Sequence, residues 1–325
     1  VHFSKQFILH LGLFFLFISC NSKTQRQENF GGISATDSRN KVIHLEQEAQ
    51  RVVALFEPAV DHIYMLQAGN VLVGIPEQVY LNTSGYEFLS GLDDKIKNKE
   101  IATPSFSGRA ISAESVLQLN PDLVILYEAD SETINQLEGL GLNVYTVSSK
   151  NKEAIYLELK GLATLIGKSK RAEELIQYTE NELNKINKAP KSDKKVYYAW
   201  SKGRIFSTSG KGSLIDAAIE AAGAQNACPL EMEATNISAE TIYEWNPDLI
   251  ILWNSKPEDV YSLKELQALP AVKQKQVYDF SPVFYYDPHT IKFMLFAKQL
   301  REWCEPQNTT AENDVKKDLK TLYGL

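Results

Sequence analysis

One segment of this chain is written twice. Residues 112–126 read SAESVLQLNPDLVIL and residues 238–252 read SAETIYEWNPDLIIL, 126 residues apart, with nine of fifteen positions identical. In each copy the leading Ser suits a helix N-cap, because its hydroxyl accepts a hydrogen bond from a free N–H of the first turn. The Asn-Pro pair then stops the helix, since Pro has no N–H and restricts the residue before it. In the run DLVIL or DLIIL that follows, the four residues after Asp are all apolar, the pattern of a parallel strand buried on both faces. A helix–turn–strand unit used once in each half constrains the chain to two related α/β lobes. At 325 residues it is long enough for two, since single cores stop growing at roughly 250–300 residues.

The flanking sequence supports this division. In the first half RVVAL (51–55), VLVGI (71–75) and NVYTV (143–147) read as strands, with helices over 58–68 and 131–141. In the second half KVYYAW (195–200), RIFS (204–207) and QVYDF (276–280) read as strands, and 213–224, 261–269 and 288–303 as helices. Strands alternating with helices argue for mainly parallel sheets. Between the halves, Ile155, Leu159, Leu162, Leu165, Ile166, Leu175, Ile176, Leu183 and Ile186 keep helical spacing up to Ala189-Pro190. The expected fold is therefore two Rossmann-like lobes, 41–149 and 191–304, joined by one long α-helical connector over 150–190, with a tail at 305–325. Two helices broken at Gly167–Lys170 would serve equally.

The N-terminus carries a targeting signal. Lys5 precedes the apolar run FILHLGLFFLFI (7–18), too short to span a bilayer and suited to a signal h-region. Ser19-Cys20 matches the end of a bacterial lipobox, which makes 1–19 a signal peptide and Cys20 the lipidation site; cleavage elsewhere as a plain signal peptide is the other reading. The polar stretch 20–40 reads as a tether between lipid and domain. With Cys20 acylated, Cys228 and Cys304 remain as one possible disulfide in an oxidising compartment, and no CxxC or nearby His favours metal binding instead. The net charge of −7 offers no basic footprint for nucleic acid.

A lipobox, a lobe, a long helical connector and a matching lobe resemble the helical-backbone class of ABC-importer substrate-binding proteins, which carry ferric siderophores, haem or cobalamin. RVVALFEPAVDHIYMLQAGNVLVGI (51–75), the SAExxxxxNPDLxIL units, FSTSGKGSLIDAAIEAAGAQN (206–226) and PHTIKFMLFAKQL (288–300) carry the resemblance. It implies a monomer without a cofactor, tied to the membrane by its lipid, that delivers a metal chelate to an ABC permease and its ATPase. It also implies docking through surface carboxylates of both lobes, for which Glu77, Glu87, Glu231 and Glu233 are candidates. Cobalamin-binding members with a second-lobe disulfide between similar elements lend the Cys228–Cys304 pair some further support. An iron complex, ferric siderophore or haem, is the expected ligand; cobalamin is the alternative, and oxyanions have family members too.

Binding sites in such folds lie where strand C-termini of the two sheets face each other. The candidates just after strands are Phe56, Tyr80, Arg109 and Tyr127 in the first lobe. In the second they are Trp200, Lys202, Arg204, Trp253, Tyr285, Tyr286 and His289. Aromatic faces suit a macrocycle or catecholate ring. Arg109, Lys202 and Arg204 suit an anionic chelate, and Tyr285, Tyr286, Asp287 and His289 are of types that ligate iron. Tyr197 and Tyr198 alternate on a strand, so at most one of them faces the cleft. An enzyme is not expected: the chain has no GxSxG, HExxH, Walker motif or GxGxxG after a strand. A membrane-tethered sensor with the same fold is the reading from another class.

Overall fold

The computed structural model describes residues 32–106, 110–200, 203–306 and 315–325; Cys20, Arg109 and Lys202 lie outside the described residues. The first lobe opens with a hairpin, β1 (Ile33–Thr36) and β2 (Val42–Leu45), followed by β3 (Val52–Ala54), α1 (Glu57–Met65) and β4 (Leu72–Gly74). Short helices α2 (Gln78–Leu81), α3 (Thr83–Ser90) and α4 (Asp94–Lys97) lead to a two-residue ladder, β5 (Ser105–Phe106) and β6 (Ala110–Ile111). Then come α5 (Ala113–Gln118), β7 (Leu123–Tyr127), α6 (Ser131–Gly139) and β8 (Val144–Val147). Four strands form a parallel sheet in the order β4-β3-β7-β8.

The connection is helical but not one helix: α7 (Lys152–Leu165) and α8 (Ser169–Lys188) meet at Gly167. Gly167 has φ +71°, and a Cβ there would run into the Glu48 carboxylate, so the break needs glycine. The second lobe contains β9 (Lys195–Ala199), β10 (Ser207–Thr208), α9 (Leu214–Ala221), β11 (Gln225–Asn226), β12 (Thr235–Asn236), α10 (Ala239–Trp245) and β13 (Leu249–Leu252). It closes with α11 (Pro257–Tyr261), α12 (Pro270–Lys273), β14 (Val277–Asp279) and α13 (Phe293–Cys304). Its parallel sheet runs β11-β9-β13-β14. Within the stretch read as a tail lies α14 (Val315–Tyr323), packed on the body rather than trailing from it.

The doubled segment has the same structure in both lobes. The Ser112 hydroxyl accepts from Ser115 N–H, and the Ser238 hydroxyl from Thr241 N–H. Asn120 and Asn246 both turn through the left-handed region, at φ 44° and 45°, where Asn is tolerated best after Gly. The identical Asp has an identical task. Asp122 Oδ2 accepts the Gln50 and Arg51 N–H groups at 2.8 and 2.9 Å, and Asp248 Oδ2 accepts Lys195 N–H at 2.8 Å. Each Asp thus pins the entry of the neighbouring strand and fixes the register of β3 on β7 and of β9 on β13.

Strand side chains sort by the two-residue period. Outward-pointing Val53, Val124, Leu126 and Val144 pack under α5 and α6, while Tyr197, Ala199, Ile250 and Leu252 pack under α10 to α12. The inward set is different: Val52, Ala54, Leu123, Ile125 and Tyr145 of one sheet and Val196, Tyr198, Leu249 and Ile251 of the other belong to a single core, continuous through α1, α7, α8, α9, α13 and α14. Tyr197 and Tyr198 are thus both core residues. Buried polar pairs cross the same region. Lys292 Nζ lies 2.7 Å from Asp61 Oδ2, and Tyr323 donates its hydroxyl hydrogen bond to the other oxygen of Asp61. Lys298 of α13 bonds Glu182 of α8 at 3.0 Å and Asp318 of α14 at 2.6 Å. His62 Nε2 accepts the Ile291 N–H at 3.3 Å.

The expected disulfide is not formed. Cys228 and Cys304 are both free and buried. Cys228 lies past the exit of β11, with Sγ 3.8 Å from the Leu230 carbonyl. Cys304 ends α13 near Lys194 and Asp248, which precede β9 and β13 at the opposite end of the sheet. In a Cys20→Ser chain denatured without reductant, a thiol reagent should therefore titrate both remaining cysteines. Lys292→Met should cost roughly 3–5 kcal/mol in urea unfolding, because Asp61 is left buried beside no counter-charge. Adding Asp61→Asn should recover part of that loss.

Candidate functional site

The C-terminal ends of both sheets face a shared cavity of about 520 Å³, within the range of small-ligand sites. The first lobe contributes Phe56 and Glu57, which follow β3 at the start of α1, and Tyr127, the last residue of β7. Phe56 and Tyr127 stack at 5.2 Å between ring centroids and 21° between planes, forming one flat wall. Val79, Asn82 and Leu89, from α2, α3 and the turn between them, close one side. The second lobe contributes Trp253 and Asn254 after β13, and Val283, Phe284, Asp287 and His289 from the loop after β14. The doubled segment thus leads directly into Tyr127 on one wall and Trp253 on the other.

A second chamber of about 1030 Å³ shares Glu57, Asn82, Asn254 and Val283 with the first. It is more polar, being lined by Gln78, Thr83, Ser84 and Glu87 from the first lobe and by Ser255, Lys256, Asp259, Asp279 and Ser281 from the second.

Burial sets the charge states around the first chamber. Desolvation, reinforced by Asp287 and Asp61, pushes the Glu57 carboxyl up to about 7, against a hydrogen bond from Asn82 that lowers it. Burial pushes His62, behind the wall, down to about 3; it stays neutral and accepts the Ile291 N–H. Asp287 Oδ1 accepts both the backbone N–H and Nδ1 of His289, each at 3.0 Å. Burial alone would raise Asp287, but the His289 hydrogen bond and charge hold it below the usual carboxylate range. Burial would lower His289, and Asp287 instead holds it above the usual imidazole range. With Nδ1 engaged, Nε2 is left for a ligand. Among the described residues no group of three or more His, Cys, Asp or Glu is arranged to hold a metal ion.

Of the residues singled out in the sequence, Phe56, Tyr127, Trp253, Asp287 and His289 meet at this cavity. Others serve the scaffold. The Tyr80 hydroxyl donates to the Ile101 carbonyl and accepts its N–H, at 2.9 and 3.1 Å. Trp200 bonds Ser209 Oγ at 3.0 Å, and the Arg204 guanidinium sits 5.9 Å from the Trp200 ring centroid. Tyr285 packs edge-on against Phe88. Tyr286 is buried against Phe280, its hydroxyl on Gln299 and pushed up to about 12 by burial, so it belongs to the core and not to the cleft. Glu87, Glu231 and Glu233 are exposed and Glu77 is half-buried.

Two lining groups have weaker sequence signals. Asp61 lies one helical turn beyond Glu57, which was detectable from the i,i+4 spacing in the helix after β3. Asn82 caps α3, accepting from Gly85 N–H at 3.3 Å, and nothing in its sequence context separates that task from a place in a cavity.

Glu57 gives a stability test. Its carboxyl binds a proton more tightly folded than unfolded, so its contribution to stability is full at acid pH and is lost as pH rises through about 7. Glu57→Gln should therefore raise the melting temperature relative to the parent more at pH 8 than at pH 5, by on the order of 1–3 kcal/mol in stability.

The family model for periplasmic binding proteins matches residues 52–283. An uncharacterized ABC transporter substrate-binding lipoprotein, YvrC of Bacillus subtilis (strain 168), is 22% identical over 273 residues, 81% of this chain and 82% of the relative. The iron(3+)-hydroxamate-binding protein FhuD of the same organism is 26% identical over 278 residues, covering 79% of this chain and 82% of the relative. A periplasmic solute binding protein from Veillonella parvula DSM 2008 superposes with a TM-score of 0.73 at 24% identity, over 90% of this chain and 91% of that one, and so has the same fold. Family members are substrate-binding components of transport and not enzymes. The match spans both lobes and the helical connection between them, and this chain belongs to the periplasmic binding protein family.

Proposed function

We propose that this chain is the extracytoplasmic, lipid-anchored binding component of an ABC importer, and that it carries an iron chelate in the cavity between its lobes. The observation that supports this most is the aromatic lining of one cavity, with Phe56 stacked on Tyr127 from the first lobe and Trp253 and Phe284 from the second, beside His289 bonded to Asp287. Flat aromatic faces bury the apolar body of a chelate, and an imidazole oriented by a carboxylate is suited to meet a metal that its chelator leaves incompletely coordinated. The relatives' names support the same class, one being an iron(3+)-hydroxamate-binding protein. Cobalamin remains the second reading, favoured by the same broad apolar walls; it loses the support of a disulfide, because Cys228 and Cys304 are free.

In this reading Cys20 carries the lipid, the protein acts as a monomer, and the permease is met through carboxylates on both lobes. Glu231 and Glu233 have the exposure this needs and Glu77 less of it, whereas Glu87, though exposed, lines the larger chamber. Tryptophan fluorescence should respond to added ferric siderophore, and Trp253→Ala should weaken binding at least about tenfold. The absence of binding to any ferric siderophore, haem or cobalamin would leave the tethered sensor ahead. Reversing a docking carboxylate, as in Glu231→Lys, should abolish uptake in cells while leaving chelate affinity unchanged; lost affinity would remove Glu231 from that role.

A further inference from the structure

Among the described residues, which leave out Arg109 and Lys202, the charge around the two chambers is lopsided. Among the described residues that line them, six are carboxylic acids and only Lys256 and His289 are basic. Asp61 is already matched by Lys292 and Tyr323, and Asp287 by His289. Glu57 stands where the chambers meet, with Glu87, Asp259 and Asp279 around the larger one. Asp259 accepts the Lys256 backbone N–H, which leaves its charge in place. Arg204, one of the cations expected to meet an anionic ligand, stands instead on Trp200, outside both linings. The shape is equally uneven, since one chamber has flat aromatic walls and the other is polar, and both open on the same four residues.

From this placement we infer that the cleft takes a neutral or cationic metal chelate with an apolar body and a peripheral arm rich in N–H or O–H donors, and that its carboxylates reject chelates of high negative charge. The body lies against Phe56, Tyr127 and Trp253. The arm crosses Glu57 into the larger chamber, where acceptor oxygens of Asp279 and Glu87 meet its donors. Acceptors placed around a cleft discriminate twice: they bind donors, and they repel anions in a site where charge is poorly screened. The inference rests on the binding-protein reading given above and adds to it the ligand's charge and shape.

The test is a titration panel at pH 8 on the whole mature protein, followed by fluorescence quenching. The probes are ferrioxamine B, a cationic tris-hydroxamate with an amine; ferrichrome, a neutral one; ferric enterobactin, a highly anionic tris-catecholate; haem, with two carboxylates; and cyanocobalamin, neutral and rich in amides. At least one neutral or cationic probe should bind about a hundredfold more tightly than either anionic one. In Glu57→Gln/Asp279→Asn that margin should shrink at least about tenfold, and in the exposed-site variant Glu87→Gln, should the double variant fold poorly, by a smaller but measurable factor. Enterobactin or haem binding as tightly as the neutral probes would overturn the inference while sustaining chelate transport. A margin that neither variant moves would also overturn it, because the preference would then not come from these carboxylates. Binding of none of the five would overturn the chelate reading and this inference together.

Discussion

The structure depends on one core being shared by two sheets. In many two-lobed proteins each lobe closes its own interior and the junction is a thin hinge. Here the inward faces of both sheets, the helices α7 and α8, and the closing helices α13 and α14 form a continuous apolar body. Separating the lobes would expose part of that body, at roughly 25 cal/mol for each Å² of apolar surface. It would also leave Lys292 and Asp61 to find water or new partners, since this buried pair joins the two lobes, while Lys298 ties the second lobe to the connector through Glu182 and to the C-terminal helix through Asp318. The lobes are thus held in one arrangement by what is packed behind the cleft, and the cavity in front is built largely in advance of any ligand.

Helix α1 links the two regions. Every residue from Pro58 to Met65 is buried, as in a helix enclosed on all sides. Its first residue, Glu57, faces the cavity; one turn later Asp61 touches both the cavity lining and Lys292; the adjacent His62 accepts from Ile291 of the other lobe. A ligand that changes the charge at Glu57 therefore acts within one helical turn of the bonds that join the lobes. The C-terminal helix completes this joint through Tyr323 on Asp61 and through Arg171 of α8, which donates to the Thr321 and Leu322 carbonyls at 2.8 Å.

The scaffold was legible because its signals are local and written twice. Ser112 and Ser238 cap, Asn120 and Asn246 turn, and Asp122 and Asp248 pin neighbouring strands, each through hydrogen bonds that depend on the residue type at that position. The site was legible in part, through the rule that residues just beyond parallel strands reach the cleft: Phe56, Tyr127, Trp253 and His289 follow it. Tyr80, Trp200 and Tyr286 are of the same type in similar positions, yet their hydroxyl or indole groups are taken up by Ile101, Ser209 and Gln299. What separates the two sets is whether a distant partner has already claimed the polar end, and a single sequence does not carry that. Cys228 and Cys304 failed for a related reason: pairing by elimination ignores which end of a sheet each residue occupies. The break at Gly167, one of the two readings the sequence allowed, is made by a positive φ of 71°, which the helical spacing on either side does not reveal.

The two walls of the cavity come from the repeat, but they are not equivalent, and the difference is where specificity can arise. The first copy is followed by Tyr127, whose ring is already stacked on Phe56 within its own lobe. The second is followed by Trp253 and then by Asn254 in the left-handed region at φ 54°, a turn that carries the chain away from the strand direction at the point where the two chambers join. The Trp253 ring lies 6.3 Å from Phe280, a looser contact than the stacked pair opposite. The repeat therefore fixes where both walls stand, and divergence after its last conserved residue sets what each wall presents: a Tyr127 ring stacked on Phe56 on one side, and on the other a Trp253 ring packed against the core.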